Sequence, residues 1–144
     1  MTFIQKIVTI YFLKMKKKQT IIYDSNCAFC TWCVLFVLRF DTEKKFVFTS
    51  LAGKTATDFF MKKGITDTES IWLITEEKYY QKSGAALRIV ARCRWYFTPA
   101  LIGLMVPSSL RDWCYMFVST RRKLLVRNNV CPIIPAEHAT RFIL

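Results

Sequence analysis

The chain reads as one α/β domain of the α+β kind, and three observations predict this. Its 144 residues fit a single domain. Apolar residues make up 53% and charged residues 22%, which excludes disorder as a whole-chain description. Short apolar runs with strand character alternate with longer helical patterns, in the order β-α-β-α-β-β-α, with additional C-terminal helices after it. Only four Gly and four Pro exclude a collagen-like or low-complexity chain.

Each element has its own local reason. Thr20–Tyr23 is a short apolar strand, and Asp24-Ser25-Asn26 behind it favour turns and helix N-caps. Cys27 to Phe40 is almost wholly apolar. Periodicity alone cannot assign such a run, but its length and the capping residues before it favour a helix buried on most sides. Phe46–Thr49 reads as the second strand. Lys54–Lys63 reads as a helix with Phe59 and Phe60 inward and Gly64 as its stop. Ser70–Thr75 and Lys78–Gln81 form a hairpin around Glu76-Glu77. Ser83 is expected to cap a helix whose inner stripe is Ala86, Leu87, Val90 and Cys93.

Beyond it, Thr98-Pro99 opens an apolar helix that ends before Pro107. Ser109-Leu110-Arg111-Asp112 has the form of a capping box. Leu110, Trp113, Cys114, Phe117 and Val118 then fall at helical spacing and are expected to form an inner face. Residues 128–144 are expected to be an irregular tail, with Pro132 and Pro135 preventing helix. A βαβ unit followed by a helix, a hairpin and a helix is the element order of the thioredoxin fold. That analogy concerns fold and does not by itself assign function.

Residues 1–18 form an apolar and basic extension, with the patterned domain at 19–144. The apolar stretch precedes its lysines, the reverse of a secretory signal, and is too short to span a bilayer. It reads either as a short amphipathic anchor for anionic lipid or as sequence upstream of a working start at Met15. No other run reaches spanning length, so no transmembrane segment is expected.

Six cysteines are present: Cys27, Cys30 and Cys33 clustered, Cys93, Cys114 and Cys131 scattered. The chain can build a core without disulfide staples, so it reads as cytoplasmic with reduced scattered thiols. Cys27-Ala28-Phe29-Cys30 sits where the first strand hands over to the first helix. A thiolate there faces unsatisfied N–H groups and the positive end of the helix dipole. With two residues between them, the second sulfur folds back on the first within one turn. Cys27 then attacks a disulfide and Cys30 releases the mixed intermediate. Asp24 either caps the turn or assists by moving the thiol proton. Two other readings stay open: a metal site from Cys27, Cys30, Cys33 and Cys131 or His138, and purely structural cysteines. Cys33 fits a buried apolar thiol, His138 a surface residue, and Cys93 and Cys114 the core.

Asp24-Ser25-Asn26-Cys27-Ala28-Phe29-Cys30 resembles the D-x-x-C-x-x-C signature of the DCC proteins, a thiol-disulfide oxidoreductase-like family. The resemblance continues through Val37-Leu38-Arg39, Asp41, Phe46-Val47-Phe48, Ser83 and Ala85-Ala86-Leu87-Arg88-Ile89. It extends to Arg111-Asp112, Tyr115, Arg122, Cys131 and Arg141-Phe142. It implies a thioredoxin-like fold and a disulfide oxidoreductase role carried by Asp24, Cys27 and Cys30. Lys123 and Leu124-Leu125-Val126 depart from the family pattern, away from the cysteines. Gly64–Ser70 also lacks the proline that thioredoxins place beside their cysteine pair.

The formal net charge is +12, which favours anionic partners or surfaces. The basic residues read mainly as solvated helix faces, with peripheral contact to an anionic membrane as the sharper alternative. No RNA- or DNA-binding signature accompanies them, so nucleic acid is not an expected partner. No P-loop, dinucleotide fingerprint, H-E-x-x-H or G-x-S-x-G motif is present. The expected activity is thiol–disulfide exchange with a protein or a low-molecular-weight thiol or disulfide. It needs no cofactor, because the dithiol itself carries the electrons. The rival expectations are a cysteine-ligated metal module and a non-catalytic basic adaptor.

Overall fold

Successive side chains of a strand point to opposite faces, and the first strand uses both. In the computed structural model, which describes residues 18–66, 68, 70–125 and 132–143, β1 (Gln19–Tyr23) lies at the centre of a five-stranded sheet. Ile21 and Tyr23 enter one core and Ile22 enters a second. The chain continues through α1 (Ala28–Phe40), β2 (Phe46–Ser50), α2 (Lys54–Lys63), β3 (Trp72–Ile74), β4 (Tyr79–Gln81) and α3 (Lys82–Cys93). A 3-10 segment (Trp95–Met105), α4 (Ser108–Leu125), a second 3-10 segment (Ala136–Arg141) and β5 (Phe142–Ile143) complete it.

The strand order is β4-β3-β1-β2-β5. β1 and β2 are parallel, as α1 crossing between them requires. β3 runs antiparallel to β1, β4 antiparallel to β3, and β5 parallel to β2. On one face of the sheet Val34, Val37 and Leu38 of α1 and Ala85, Ile89 and Cys93 of α3 meet Ile21, Phe46, Phe48 and Leu73. On the other face Ala56 and Phe60 of α2 meet Ile22 and Trp72. The result is a mixed sheet between helices, the thioredoxin-like α+β arrangement expected from the element order. Gly64 ends α2 in the left-handed conformation that glycine adopts without strain (φ 65°).

Several local expectations are corrected. The helix expected after Thr98-Pro99 is instead a 3-10 segment that begins at Trp95. Pro99 therefore lies inside it, where it cannot donate a backbone hydrogen bond. Ser83 does not cap α3; Gln81 holds that position, without a side-chain cap. The inner stripe of α3 is turned by about one residue, so Ala85, Ile89 and Cys93 are buried while Ala86, Leu87 and Val90 are half-buried.

The largest correction concerns α4, whose expected inner face points outward. Leu110 (55% exposed), Trp113 (64%), Phe117 (48%) and Val118 lie at the surface. Cys114, expected in the core, is exposed too. The helix turns Arg111, Asp112, Tyr115 and Arg122 toward the body instead, because those side chains find polar partners there. His138, expected at the surface, is half-buried and within 3.3 Å of Glu137. The tail keeps to the expectation that its prolines exclude α-helix, but it ends in β5 rather than irregular chain. Residues 1–17 of the extension and Cys131 lie outside the described residues.

What holds β5 in place is a buried ion pair. Asp41 (1% exposed), the C-cap of α1, accepts from the backbone N–H of Lys45 (3.1 Å) and Phe46 (3.0 Å). It is paired with Arg141, which also donates twice to the Phe46 carbonyl (3.0 and 3.1 Å). Removing one member of such a pair strands the other charge. Arg141→Met is therefore expected to lower stability by about 3–5 kcal/mol in urea unfolding. The double variant Asp41→Leu/Arg141→Met is expected to lose less than the sum of the two single losses, and an additive double loss would contradict this account.

Candidate active site

The site is built where β1 ends. β1 ends at Tyr23, and after four intervening residues the chain is helical. The turn is closed by Asp24, whose carbonyl accepts the Cys27 N–H at 3.3 Å. Asp24 Oδ1 accepts the Asn26 N–H at 3.0 Å. Ser25 Oγ lies 2.8 Å from Ser50 Oγ, and Leu51 N–H donates to the Tyr23 carbonyl, so the turn is fastened to the end of β2.

Asp24-Ser25-Asn26 read from sequence as the helix cap, but the N-cap is Cys27 itself. Its Sγ accepts the Cys30 N–H at 3.4 Å. Its carbonyl accepts both the N–H (3.0 Å) and the hydroxyl (3.1 Å) of Thr31. Cys27 Sγ thus satisfies one of the orphan donors that every helix N-terminus presents. Negative charge developing on that sulfur meets the positive end of α1.

Cys30 lies one turn along and is half-buried. Burial pushes its thiol up to about 12, with further upward contributions from the hydrogen bond and charge of Cys27 and a downward one from Arg122. Cys30 is therefore protonated at neutral pH. Cys33, half-buried another turn along, is also raised, by burial and then by the charge of Cys27. All five described cysteines are free thiols.

Arg122 of α4 reaches over this turn. Its Nη1 lies 3.8 Å from Cys30 Sγ and its Nη2 3.7 Å from Asp24 Oδ2. Partial burial works against the guanidinium charge, but Cys27, Cys30 and Asp24 together raise its pKa. Two further contacts fix α4 against the site. Tyr115 Oη accepts the Ile71 N–H at 3.2 Å, at the entrance to β3. Asp112 accepts from Ser83 Oγ, which in turn accepts from Arg111 Nε at 2.8 Å.

The structure thus brings Asp24, Cys27 and Cys30 into one turn, with Cys33 adjoining. Among the described residues no group of three or more His, Cys, Asp or Glu is placed to hold a metal ion, and Cys131 lies outside them. Sequence alone places Arg122 in the family's C-terminal pattern and among the basic residues, but not at the cysteines. A usable signal was present: Arg111, Tyr115 and Arg122 share one stripe of a helix, opposite the apolar stripe of Leu110, Trp113 and Phe117.

A groove of about 610 Å³ opens beside Cys30, between α1 and α3 and against α4. Among the described residues no helix is long and apolar enough to cross a membrane.

Residues 21–128 match the profile of the family described as DCC1-like thiol-disulfide oxidoreductase. A Bacillus subtilis (strain 168) protein described as "Uncharacterized protein YuxK" is 27% identical over 128 residues, covering 87% of this chain and 93% of that one. No solved structure matches the chain.

The electrostatics of Cys30 give a testable pH dependence. In the reduced protein, alkylation of Cys30 by iodoacetamide, read on its peptide, should rise about tenfold per pH unit from pH 7 to 9, because only the thiolate reacts. Arg122→Gln removes a charge that lowers the Cys30 pKa, and should slow alkylation by up to about fivefold, the scale of a partly exposed ion pair. A plateau near pH 7 would show that Cys30 is not held protonated.

Proposed function

The chain belongs to the DCC1-like thiol-disulfide oxidoreductase family, and from that premise we propose that Cys27 and Cys30 form its redox-active pair. The observation that carries the reading is the division of labour between the two thiols. Cys27 Sγ caps the helix N-terminus, whereas Cys30 is half-buried and held protonated.

The exchange runs in two displacements. Cys27 thiolate attacks one sulfur of a substrate disulfide, forms a mixed disulfide and releases the first substrate thiolate, which takes up a proton. Cys30 then gives its proton to solvent base and attacks Cys27 Sγ. The second substrate thiolate leaves and is protonated in turn. The dithiol loses two electrons and the substrate disulfide gains them; the reverse sequence oxidises a dithiol.

Arg122 acts on the second displacement. Once Cys27 is in a mixed disulfide it no longer carries charge, so its electrostatic opposition to a Cys30 thiolate disappears. Burial then still opposes that thiolate, and the Arg122 charge favours it. In this reading Asp24 is a positioning residue that closes the turn and holds Arg122. The substrate is a protein or a low-molecular-weight thiol or disulfide.

Trapping tests the assignment. Cys30→Ser is expected to accumulate a mixed disulfide on Cys27 when the reduced protein meets excess disulfide, and Cys27→Ser to lose at least about 100-fold in exchange rate. Full activity in Cys27→Ser would overturn it.

The outward face of α4 favours a second role for the surface, contact with an anionic membrane, which we propose alongside the redox reading. Leu110, Trp113, Phe117 and Leu124 are exposed there, and Ile102 and Met105 just before the helix. From residue 94 to 125 the sole acidic residue is Asp112, which is bonded to Ser83, against five basic ones. Apolar side chains flanked by cations suit the interface of an anionic bilayer. The protein should co-sediment with phosphatidylglycerol-containing vesicles, less so at high salt, and Trp113→Glu/Phe117→Glu should reduce binding at least about tenfold. Equal binding to neutral vesicles, or an unaffected double variant, would contradict this role.

A further inference from the structure

The groove beside Cys30 has a composition that the exchange chemistry alone does not call for. At about 610 Å³ it is large enough for a small organic molecule. Its walls are mainly apolar, among them Trp32 and Phe36 of α1 and Ala86, Leu87 and Val90 of α3. These three α3 residues are the ones expected in the core, and the structure leaves them half-buried along the groove. The polar groups gather at the α4 end, where Asp24, Cys30, Ser70, Arg111 and Arg122 line the wall. Ser70 is 5% exposed, and its hydroxyl is buried without a hydrogen-bond partner.

We propose that this groove selects the substrate, and that the substrate is a low-molecular-weight disulfide carrying an apolar chain. The inference rests on the dithiol reading above. The reacting S–S bond would lie at the polar end, where Cys30 lines the groove and Cys27 Sγ lies 3.4 Å from the Cys30 backbone nitrogen, with its chain running between α1 and α3. A charged, peptide-like disulfide would place polar groups against those walls without partners, which costs free energy. A folded protein would present its disulfide from a surface and leave the walls uncovered.

The reaction balances as R–S–S–R plus the Cys27/Cys30 dithiol giving two R–SH and the Cys27–Cys30 disulfide. A single turnover of reduced protein needs no further reductant.

Single-turnover oxidation of the reduced full chain tests the proposal, using diethyl, dipropyl and dibutyl disulfide with bis(2-hydroxyethyl) disulfide as the polar reference. The alkyl leaving thiols differ little in acidity, so chain length reports on binding rather than leaving-group chemistry. The second-order rate constant should rise up to about fourfold for each methylene that the groove buries. The same series with free dithiothreitol should stay flat. Ala86→Trp, which places a large side chain in the groove, should flatten the rise, and Val90→Phe should reduce it.

A wild-type series as flat as that of dithiothreitol overturns the proposal while leaving the dithiol reading intact, provided the polar reference still reacts. No reaction with any disulfide overturns both. A slope unchanged in Ala86→Trp also overturns the proposal, because the chain would then bind elsewhere.

Discussion

Everything chemical in this molecule depends on the handover from β1 to α1. The chain must turn from an extended strand at the centre of the sheet into a helix across four residues. Backbone hydrogen bonding leaves the first N–H groups of that helix without intrahelical partners. Here one of those donors is met by a sulfur rather than by a serine or aspartate oxygen. Asp24 is thereby displaced from the cap into the turn, where its second oxygen faces Arg122. The parallel pairing of β1 with β2 fixes where the turn stands, because Ser25 and Tyr23 are tied to Ser50 and Leu51.

α4 completes the site by an inversion of the usual helix pattern. An amphipathic helix buries its apolar stripe when its partner is a hydrophobic core. The surface facing α4 is instead a set of polar groups: the Ile71 N–H, the Ser83 hydroxyl, the Asp24 carboxylate and the Cys30 thiol. The polar stripe turns inward because those groups need partners once water is excluded. The apolar stripe is left at the surface, where it becomes a candidate for contact with lipid. The same inward stripe walls one end of the groove, so cysteines, cation and apolar channel belong to one construction.

The parts legible in sequence were those set by local chemistry. Thr20–Tyr23, the apolar run to Phe40, the Phe46 strand and the hairpin follow from pattern and turn residues, and together they define the sheet and its order. The proximity of Asp24, Cys27 and Cys30 followed from their spacing at a strand-to-helix junction. The parts not legible depend on which surface an element meets. The stripe Leu110–Val118 has the spacing of a buried face, and no local feature says that a polar surface lies opposite. The Cys30–Arg122 contact joins residues 92 positions apart, and the Asp41–Arg141 pair joins residues 100 apart. Neither is written in the neighbourhood of its own residues. The rotation of α3 by about one position is equally non-local, since it reflects the groove that Ala86, Leu87 and Val90 line.

The central claim is that Cys27 and Cys30 work as one reversible two-electron couple. A glutathione redox titration of the intact protein tests it most directly, with free thiols alkylated after each equilibration and the two cysteine peptides read by mass spectrometry. The account predicts a Cys27–Cys30 disulfide that forms and breaks reversibly, with a potential between roughly −270 and −120 mV as in known dithiol carriers. Alkylation of both cysteines at every poise across that range, with no disulfide between them, would contradict it.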